Sequence, residues 1–206
     1  TLTITVDDIN YTESANITVT VPDGATGYIT IKINDTAAGE ITLPIINGKV
    51  NWIVSGLAAD NYTVIANYSG DDKYNENNTN VNRSFEVKRI APEISILPVE
   101  VDADTNATVV VTITDGTTGN VTITVNNKDY NGTIENGVAT ITIDKLPVGN
   151  YTVDVKYIGD KNYTNVTKAF ANGVNVDRIP DYLINLTTIE ISVGETENIT
   201  VNVPKD

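Results

Sequence analysis

The chain of 206 residues repeats itself at an interval of about 90 residues, and this repeat limits its fold more than any other feature. The run GLAADNYTVIANYSGDDKY at 56–74 aligns with DKLPVGNYTVDVKYIGDKNY at 144–163. Upstream, residues 15–34 align with residues 106–126 in the same way. Self-similarity at a fixed interval indicates a structural unit that occurs more than once. We therefore predict one domain over 1–89 (unit 1) and a second over 90–178 (unit 2).

The remaining residues, 179–206, begin a third copy of the same pattern. NITVNVPKD at 198–206 nearly repeats NITVTVPDG at 16–24. We predict a linker followed by the first two strands of a truncated third repeat, at 187–193 and 198–203. Two strands do not bury a core of their own. We therefore expect a fragment cut from a longer array, whose last strands pack either on unit 2 or on another chain.

Within each unit, apolar and polar residues alternate as they do on a strand with one buried face. Four rows of unit 1 are predicted to point inward, and three such rows recur in unit 2. Among these rows are Ile17, Val19 and Val21; Tyr62, Val64, Ala66 and Tyr68; and, in unit 2, Tyr151, Val153, Val155 and Tyr157. Turn pairs such as Asp23-Gly24 and Asn47-Gly48 separate the rows. The pattern predicts an antiparallel β-sandwich in each unit.

One local motif connects this pattern to a known family. Residues 57–64 read LAADNYTV and residues 146–153 read LPVGNYTV, which resembles the tyrosine corner of immunoglobulin-like sandwiches. Tyr62 and Tyr151 are the corner tyrosines. The longer run N-Y-T-V-x-x-x-Y-x-G-D-x-x-Y resembles bacterial Ig-like repeats, particularly those of adhesin-like surface proteins of methanogenic archaea.

The resemblance implies tandem immunoglobulin-like Greek-key β-sandwiches of about seven strands each, without disulfides. It also implies an extracellular protein of the cell surface or cell wall, in the form of a stalk or an adhesive module. It carries over no catalytic residue and no cofactor.

Composition excludes several classes of function. The chain has no Cys and no His, so neither thiolate chemistry nor a histidine base is available, and we predict no enzyme activity. A net charge of −14 disfavours binding to a nucleic-acid backbone. No apolar run approaches the roughly 20 residues that span a bilayer, and we expect no membrane contact by this segment.

An acidic stretch, GDDKYNENN at 70–78, resembles a cation site. The candidate Ca²⁺ ligands are Asp71, Asp72 and Asp160. A Ca²⁺ site needs several oxygen ligands, yet between the copies Asp72 becomes Lys161 and Glu76 becomes Asn165. The comparison favours a structural corner with no metal, in which the conserved aspartate caps backbone N–H groups.

Sequons for N-glycosylation are frequent, since the sequence contains fifteen Asn-X-Ser/Thr triplets. The candidate sites singled out are Asn16, Asn34, Asn67, Asn120 and Asn131. Strand alternation by itself places polar residues two apart, so the excess over chance is modest. The pattern makes the chain a possible glycoprotein but does not decide whether any sequon is used.

Two functions remain open at this point. The repeats form a non-enzymatic structural stalk or spacer, or they bind a cell-surface glycan or protein of another cell directly in cell adhesion. The expected partners are such a ligand and neighbouring repeats of the same chain. The differences between the units scatter along the sequence and do not concentrate aromatic residues on one face, which favours the stalk. A third possibility is assembly, because the strands of the tail offer open edges.

Overall fold

A computed structural model describes residues 1–34, 38–179, 190–196 and 198. It confirms the all-β prediction with two β-sandwiches in succession. The described residues contain no helix, so none of them forms a helix long and apolar enough to cross a membrane.

Unit 1 consists of a three-stranded sheet in the order β1-β3-β6 and a five-stranded sheet in the order β2-β8-β7-β4-β5. The chain crosses between the two sheets several times, and β4–β5 and β7–β8 are hairpins within the five-stranded sheet. The strands are β1 (Thr3–Thr5), β2 (Ile9–Asn10), β3 (Ala15–Thr20), β4 (Tyr28–Ile33), β5 (Glu40–Pro44), β6 (Lys49–Val54), β7 (Asp60–Tyr68) and β8 (Asn77–Lys88).

Unit 2 repeats this arrangement, with one sheet in the order β14-β11-β9 and the other in the order β10-β16-β15-β12-β13. The strands are β9 (Ile94–Ile96), β10 (Val99–Asp102), β11 (Ala107–Ile113), β12 (Asn120–Val125), β13 (Lys128–Thr133), β14 (Val138–Ile143), β15 (Gly149–Tyr157) and β16 (Val166–Asp177). Eight strand segments therefore stand where about seven strands were predicted.

The additional segment arises because the first strand of each unit divides between the two sheets. In unit 1, β1 pairs antiparallel with β3, whereas β2 pairs parallel with β8. The crossing falls at Asp7-Asp8, where the apolar alternation breaks. The Asp8 carboxylate accepts a hydrogen bond from the Glu86 amide at 2.8 Å, which ties the crossing to β8. Both sheets thus gain an edge from one stretch of chain.

The predicted inward rows form the interior of each sandwich. Ile17, Val19 and Val64 have no exposed surface, and Tyr68 is 4% exposed. In unit 2 the row from Val153 to Tyr157 is buried, while Tyr151 is half-buried. Burying one such side chain stabilises the fold by about 1.5–3 kcal/mol.

The buried apolar residues fall into two clusters, one between Leu2 and Val87 and the other between Ile94 and Val176. Each sandwich is therefore closed by its own interior. Half-buried Tyr11 packs against both clusters and lies where they approach each other.

The predicted third repeat falls largely outside the described residues, and the strands at 187–193 and 198–203 stay predictions. The described residues 190–196 contain a turn, in which the Glu195 amide donates to the Ser192 carbonyl at 3.1 Å.

Candidate functional site: the acidic corners and the junction between the units

The acidic corner of unit 1 is organised around the carboxylate of Asp71. One carboxylate oxygen accepts hydrogen bonds from the Lys73 and Tyr74 amides at 2.8 and 2.7 Å. The other accepts from the amide and the hydroxyl of Thr26 at 2.6 and 3.1 Å. Asp71 therefore holds its own β7–β8 loop in shape and ties it to the β3–β4 loop.

Asp160 makes the same bonds in unit 2. One oxygen accepts from the Asn162 and Tyr163 amides, both at 2.8 Å. The other accepts from the Thr118 amide at 2.9 Å and the Thr118 hydroxyl at 3.1 Å. The capping role predicted for this aspartate is thus realised by equivalent donors in both units.

A glycine and a tyrosine complete each corner. Gly70 has a φ of +78°, and a Cβ at this position would lie 2.7 Å from the Glu76 nitrogen, so only glycine fits without displacement of backbone. The Tyr74 hydroxyl donates to the Asp23 carbonyl at 3.1 Å, and its counterpart Tyr163 donates to the Asp115 carbonyl at 3.0 Å. These bonds fasten the corner to the preceding turn.

The hydrogen bonds also set the acidity of the two carboxyl groups. The Thr26 amide, followed by the Lys73 and Tyr74 amides, holds the pKa of Asp71 well below its usual range against the opposing effect of burial. Burial by itself would raise the pKa of Asp160, but the amides of Thr118, Tyr163 and Asn162 outweigh it and lower that pKa. Both aspartates are therefore charged at neutral pH.

The buried tyrosines beside these carboxylates are affected in the opposite direction. Burial and then the neighbouring Asp160 raise the pKa of Tyr157, whose hydroxyl donates to the Thr118 carbonyl at 3.1 Å. Burial and then Asp71 raise the pKa of Tyr68. The Tyr68 hydroxyl is buried beside Asp71 but does not reach the geometry of a hydrogen bond.

The corners give little support to a Ca²⁺ site. All four oxygens of Asp71 and Asp160 already accept protein donors, and Asp72 is exposed. In the part of the chain that the structure describes, no three acidic side chains lie close enough together to hold a metal ion. The arrangement stabilises a loop and leaves Asp72 outside it.

Tyr62 and Tyr151 have the geometry of a tyrosine corner in the β6–β7 and β14–β15 connections. The Tyr62 hydroxyl donates to the Ala58 carbonyl at 2.9 Å, and the Tyr151 hydroxyl donates to the Pro147 carbonyl at 2.7 Å. Tyr62 also packs on Phe85 at a ring distance of 5.6 Å. Burial and then Asp60 raise the pKa of Tyr62, so this phenol stays a hydrogen-bond donor at physiological pH.

The corner of unit 2 lies against unit 1, which the sequence did not predict. The Asn162 side chain accepts a hydrogen bond from the Ala59 amide at 3.0 Å, and the Lys161 ammonium lies 3.7 Å from the Asp60 carboxylate. Tyr163 meets Tyr11 edge-on at a ring distance of 5.4 Å. We call this set of contacts the junction.

The linker between the two units, at Arg89 and Ile90, also takes part in the junction. The Ile90 amide donates to the Asn162 carbonyl at 3.3 Å, and the Thr164 amide donates to the Ile90 carbonyl at 2.9 Å. Arg89 reaches the Asp160 carbonyl at 3.5 Å. The connection between the units is therefore paired with the corner, which restricts how one unit rotates against the other.

A signal for the junction was present in the sequence. The two positions that follow the shared aspartate differ between the copies, Asp72-Lys73 against Lys161-Asn162. In unit 2 these two side chains contact the neighbouring unit. The variable positions therefore belong to the contact surface, whereas the constant aspartate builds the corner and the constant Tyr163 serves both the corner and the junction.

The sequons differ in accessibility. Asn16, Asn120 and Asn131 are exposed, and Asn131 accepts a hydrogen bond from the Thr122 hydroxyl at 2.7 Å. Asn34 is exposed, but the threonine of its sequon lies outside the described residues. Asn67 is half-buried, and its side-chain oxygen is buried without a hydrogen-bond partner. The fold therefore leaves less room for a glycan at Asn67 than at the exposed asparagines.

The strand order, the two tyrosine corners and the separate hydrophobic core of each unit define a tandem immunoglobulin-like protein. The sequence matches the model of the bacterial Ig-like domain (group 3) twice, over residues 2–88 and 94–176. These matches span more than half of the chain, which therefore belongs to the bacterial Ig-like domain (group 3) family.

Comparison with known proteins adds distant similarities. The fibronectin(III)-like modules of Clostridium thermocellum CbhA are 13% identical, over 91% of this chain and 100% of that chain, with a TM-score of 0.35. The titin domains z1z2 in complex with telethonin are 11% identical, over 87% of this chain and 96% of that chain, with a TM-score of 0.39. No functionally curated protein matches the sequence.

Proposed function

We propose that the chain is a non-enzymatic structural segment of an extracellular surface protein, in which Ig-like repeats act as a stalk or spacer. The junction carries this proposal. Two separately closed sandwiches are held to each other by a hydrogen bond, an ion pair and a tyrosine contact, and by a linker that pairs with the corner. These contacts restrict the rotation of one repeat against the other, which favours a segment of defined geometry over a freely flexible string of domains.

Family membership and composition support the same function. Ig-like families are typically non-enzymatic, and bacterial Ig-like domains are commonly extracellular surface modules. The groove beside the unit 1 corner is lined by Gly24, Thr26, Gly27, Gly70, Asp71, Asp72 and Lys73. It lacks the apolar lining of a small-molecule site. Resemblance to adhesin-like proteins of methanogens and the exposed sequons agree with a glycoprotein on an archaeal cell surface.

Pulling the full chain between its ends by single-molecule force spectroscopy tests the spacer function. We expect two separate unfolding events, each lengthening the chain by roughly 260 Å, from about 3.5 Å per extended residue less the length of the folded unit. One event of about twice that length contradicts two independently closed units, and unfolding without a resolvable force peak contradicts a segment that carries tension.

Direct binding of a ligand is the second candidate, and one observation favours it. In the described part of the chain, Tyr28 is the one aromatic side chain that is more than half exposed, at 55%. Exposed aromatic residues are common in recognition surfaces. A glycan array probed with the full chain and with Tyr28→Ala distinguishes the functions. Selective binding that Tyr28→Ala abolishes establishes adhesion, and uniform absence of binding favours the spacer.

A further inference from the structure

The same corner occurs twice in the chain but in two different surroundings. In unit 2, Tyr163 is 3% exposed and packs against Tyr11 of unit 1. In unit 1, Tyr74 is half-buried, and its contacts come from its own unit. These are the Asp23 carbonyl and the Lys73 ammonium, which lies 5.1 Å from the centre of the ring. A surface that is an interface in one copy is therefore open in the other.

The side chains that make the junction selective are the two that differ. Lys161 is paired with Asp60, and Asn162 accepts from the Ala59 amide. The equivalent residues of unit 1 are Asp72 and Lys73, both exposed. Placed against a loop like that of unit 1, Asp72 would meet the like charge of Asp60. The corner of unit 1 is thus complementary to a different loop.

We propose that the corner is a docking element whose two variable residues select the neighbouring repeat. The corner of unit 1, Asp71 to Tyr74, accepts the tyrosine-corner loop of another Ig-like repeat that has Lys or Arg where unit 1 has Asp60. Asp72 pairs with that basic residue, and Tyr74 packs against an apolar side chain, as Tyr163 packs edge-on against Tyr11. The proposal rests on the junction geometry and holds for a spacer and for an adhesive array alike.

A second copy of this chain is a poorer occupant. The tyrosine-corner loop of unit 2 has Gly149 at the position of Asp60, so it offers no charge to Asp72. The net charge of −14 also opposes the approach of two copies. Charge complementarity therefore favours a repeat with a basic loop.

The proposal can be tested in the full chain, because the two variable residues of the unit 1 corner can be introduced at the equivalent positions of the junction. Lys161→Asp combined with Asn162→Lys gives unit 2 the variable residues of unit 1. In this double variant the carboxylate introduced at position 161 would face Asp60, and we expect the junction to open. Adding Asp60→Lys supplies the basic loop residue of the proposed partner, and we expect the triple variant to regain an ion pair and to close again in part. Closure stays incomplete because a lysine at position 162 cannot accept the hydrogen bond of the Ala59 amide.

The chain contains no cysteine, so spin labels are attachable at introduced cysteines without competing thiols. Labels at the exposed strand positions 49 in unit 1 and 140 in unit 2 report the distance between the units by electron–electron double resonance. We expect the ratio of closed to open molecules to fall by roughly three- to tenfold in the double variant, because it loses both an exposed ion pair and a hydrogen bond. The triple variant is expected to have a larger closed fraction than the double variant, without reaching that of the wild type.

Two outcomes overturn the proposal. An unchanged distance distribution in the double variant shows that the variable residues do not select the neighbour. A closed fraction that is no larger in the triple variant than in the double variant shows that the unit 1 corner does not accept a basic loop. Nuclear magnetic resonance spectra of each variant verify that both sandwiches remain folded. Failure of either kind leaves the two force peaks of the spacer test unaffected, so the two proposals fail separately.

Discussion

Each corner depends on one carboxylate that serves several backbone donors at once. Asp160 orders its own loop through two amides and reaches Thr118 in the neighbouring loop. Backbone amides without acceptors are costly when they are removed from water. A single residue therefore determines the shape of the surface on which the junction is built.

Replacing Asp160 by Asn is expected to lower the free energy of unfolding of unit 2 by about 2 kcal/mol at pH 7, because neutral Asn is a weaker acceptor for three amides. The folded pKa of Asp160 is lowered relative to about 3.9 in the unfolded chain. Its contribution to stability is therefore complete above about pH 5 and is lost as the pH falls through the folded pKa.

Urea titrations at pH 7 and pH 3, followed through amide signals of unit 2, measure this difference. The difference in the free energy of unfolding between wild type and Asp160→Asn should be smaller at the lower pH. Glu135→Gln, at an exposed turn of the same unit, is the control and should change stability by less than about 0.5 kcal/mol. If this difference is the same at both pH values, the charge of Asp160 does not contribute to stability.

The tyrosine corner gives a second prediction for a single residue. Tyr62→Phe removes the hydrogen bond to the Ala58 carbonyl and should destabilise unit 1 by about 1–2 kcal/mol. Trp52 is the one tryptophan of the chain and lies in unit 1, so its fluorescence monitors the unfolding of that unit. Tyr28→Phe, at an exposed ring, is the matched control, and an equal effect of both substitutions would refute the role of the corner.

At the scale of strands and loops, much of the architecture follows from the sequence. Alternation identifies the buried side of a strand wherever one face is polar, as at Ile17 and Val19 beside exposed Asn16 and Thr20. The aspartate cap is predictable because its donors lie two and three residues away. The division of the first strand is harder to predict, because it depends on pairing with the distant strand β8. The interruption of the apolar alternation at Asp7-Asp8 was the local sequence feature that indicated this division.

Loop geometry gives a prediction at this scale. Gly48 and Gly70 both have positive φ, but a Cβ at Gly48 meets nothing within 4 Å, whereas one at Gly70 lies 2.7 Å from the Glu76 nitrogen. Gly48→Ala should therefore cost about 1 kcal/mol from backbone strain alone. Gly70→Ala should cost about 2–4 kcal/mol, because the overlap adds to the strain. Urea unfolding followed by Trp52 fluorescence compares the two, and equal losses would contradict a tightly closed corner.

At the scale of the whole molecule, the junction was the feature that sequence reasoning missed. Alternation and turn residues describe each sandwich from within, but the placement of Tyr163 against Tyr11 depends on how two finished units meet. The division of the chain at residues 89 and 90 stays a prediction, as does the third repeat. Each unit has its own hydrophobic core, and the linker at Ile90 is hydrogen-bonded to the corner of unit 2. These two features explain how a chain without disulfides forms consecutive stable units.

Removing divalent cations should leave this molecule unchanged. Protein donors already occupy the oxygens of Asp71 and Asp160, so no ion is needed to neutralise them. We expect the same melting temperature with Ca²⁺ and with a chelator, as measured by differential scanning calorimetry. A decrease of several degrees on chelation would restore the Ca²⁺ interpretation of the corners.

Small-angle X-ray scattering of the full chain tests most directly whether two separately closed units lie end to end. Two units of about 12 Å radius of gyration, with centres about 35–40 Å apart, give an overall radius of gyration of about 21–23 Å. A single compact body of the same length would give about 17 Å. We predict the larger value and a distance distribution with two maxima, and a value near 17 Å with one symmetric maximum would contradict the spacer.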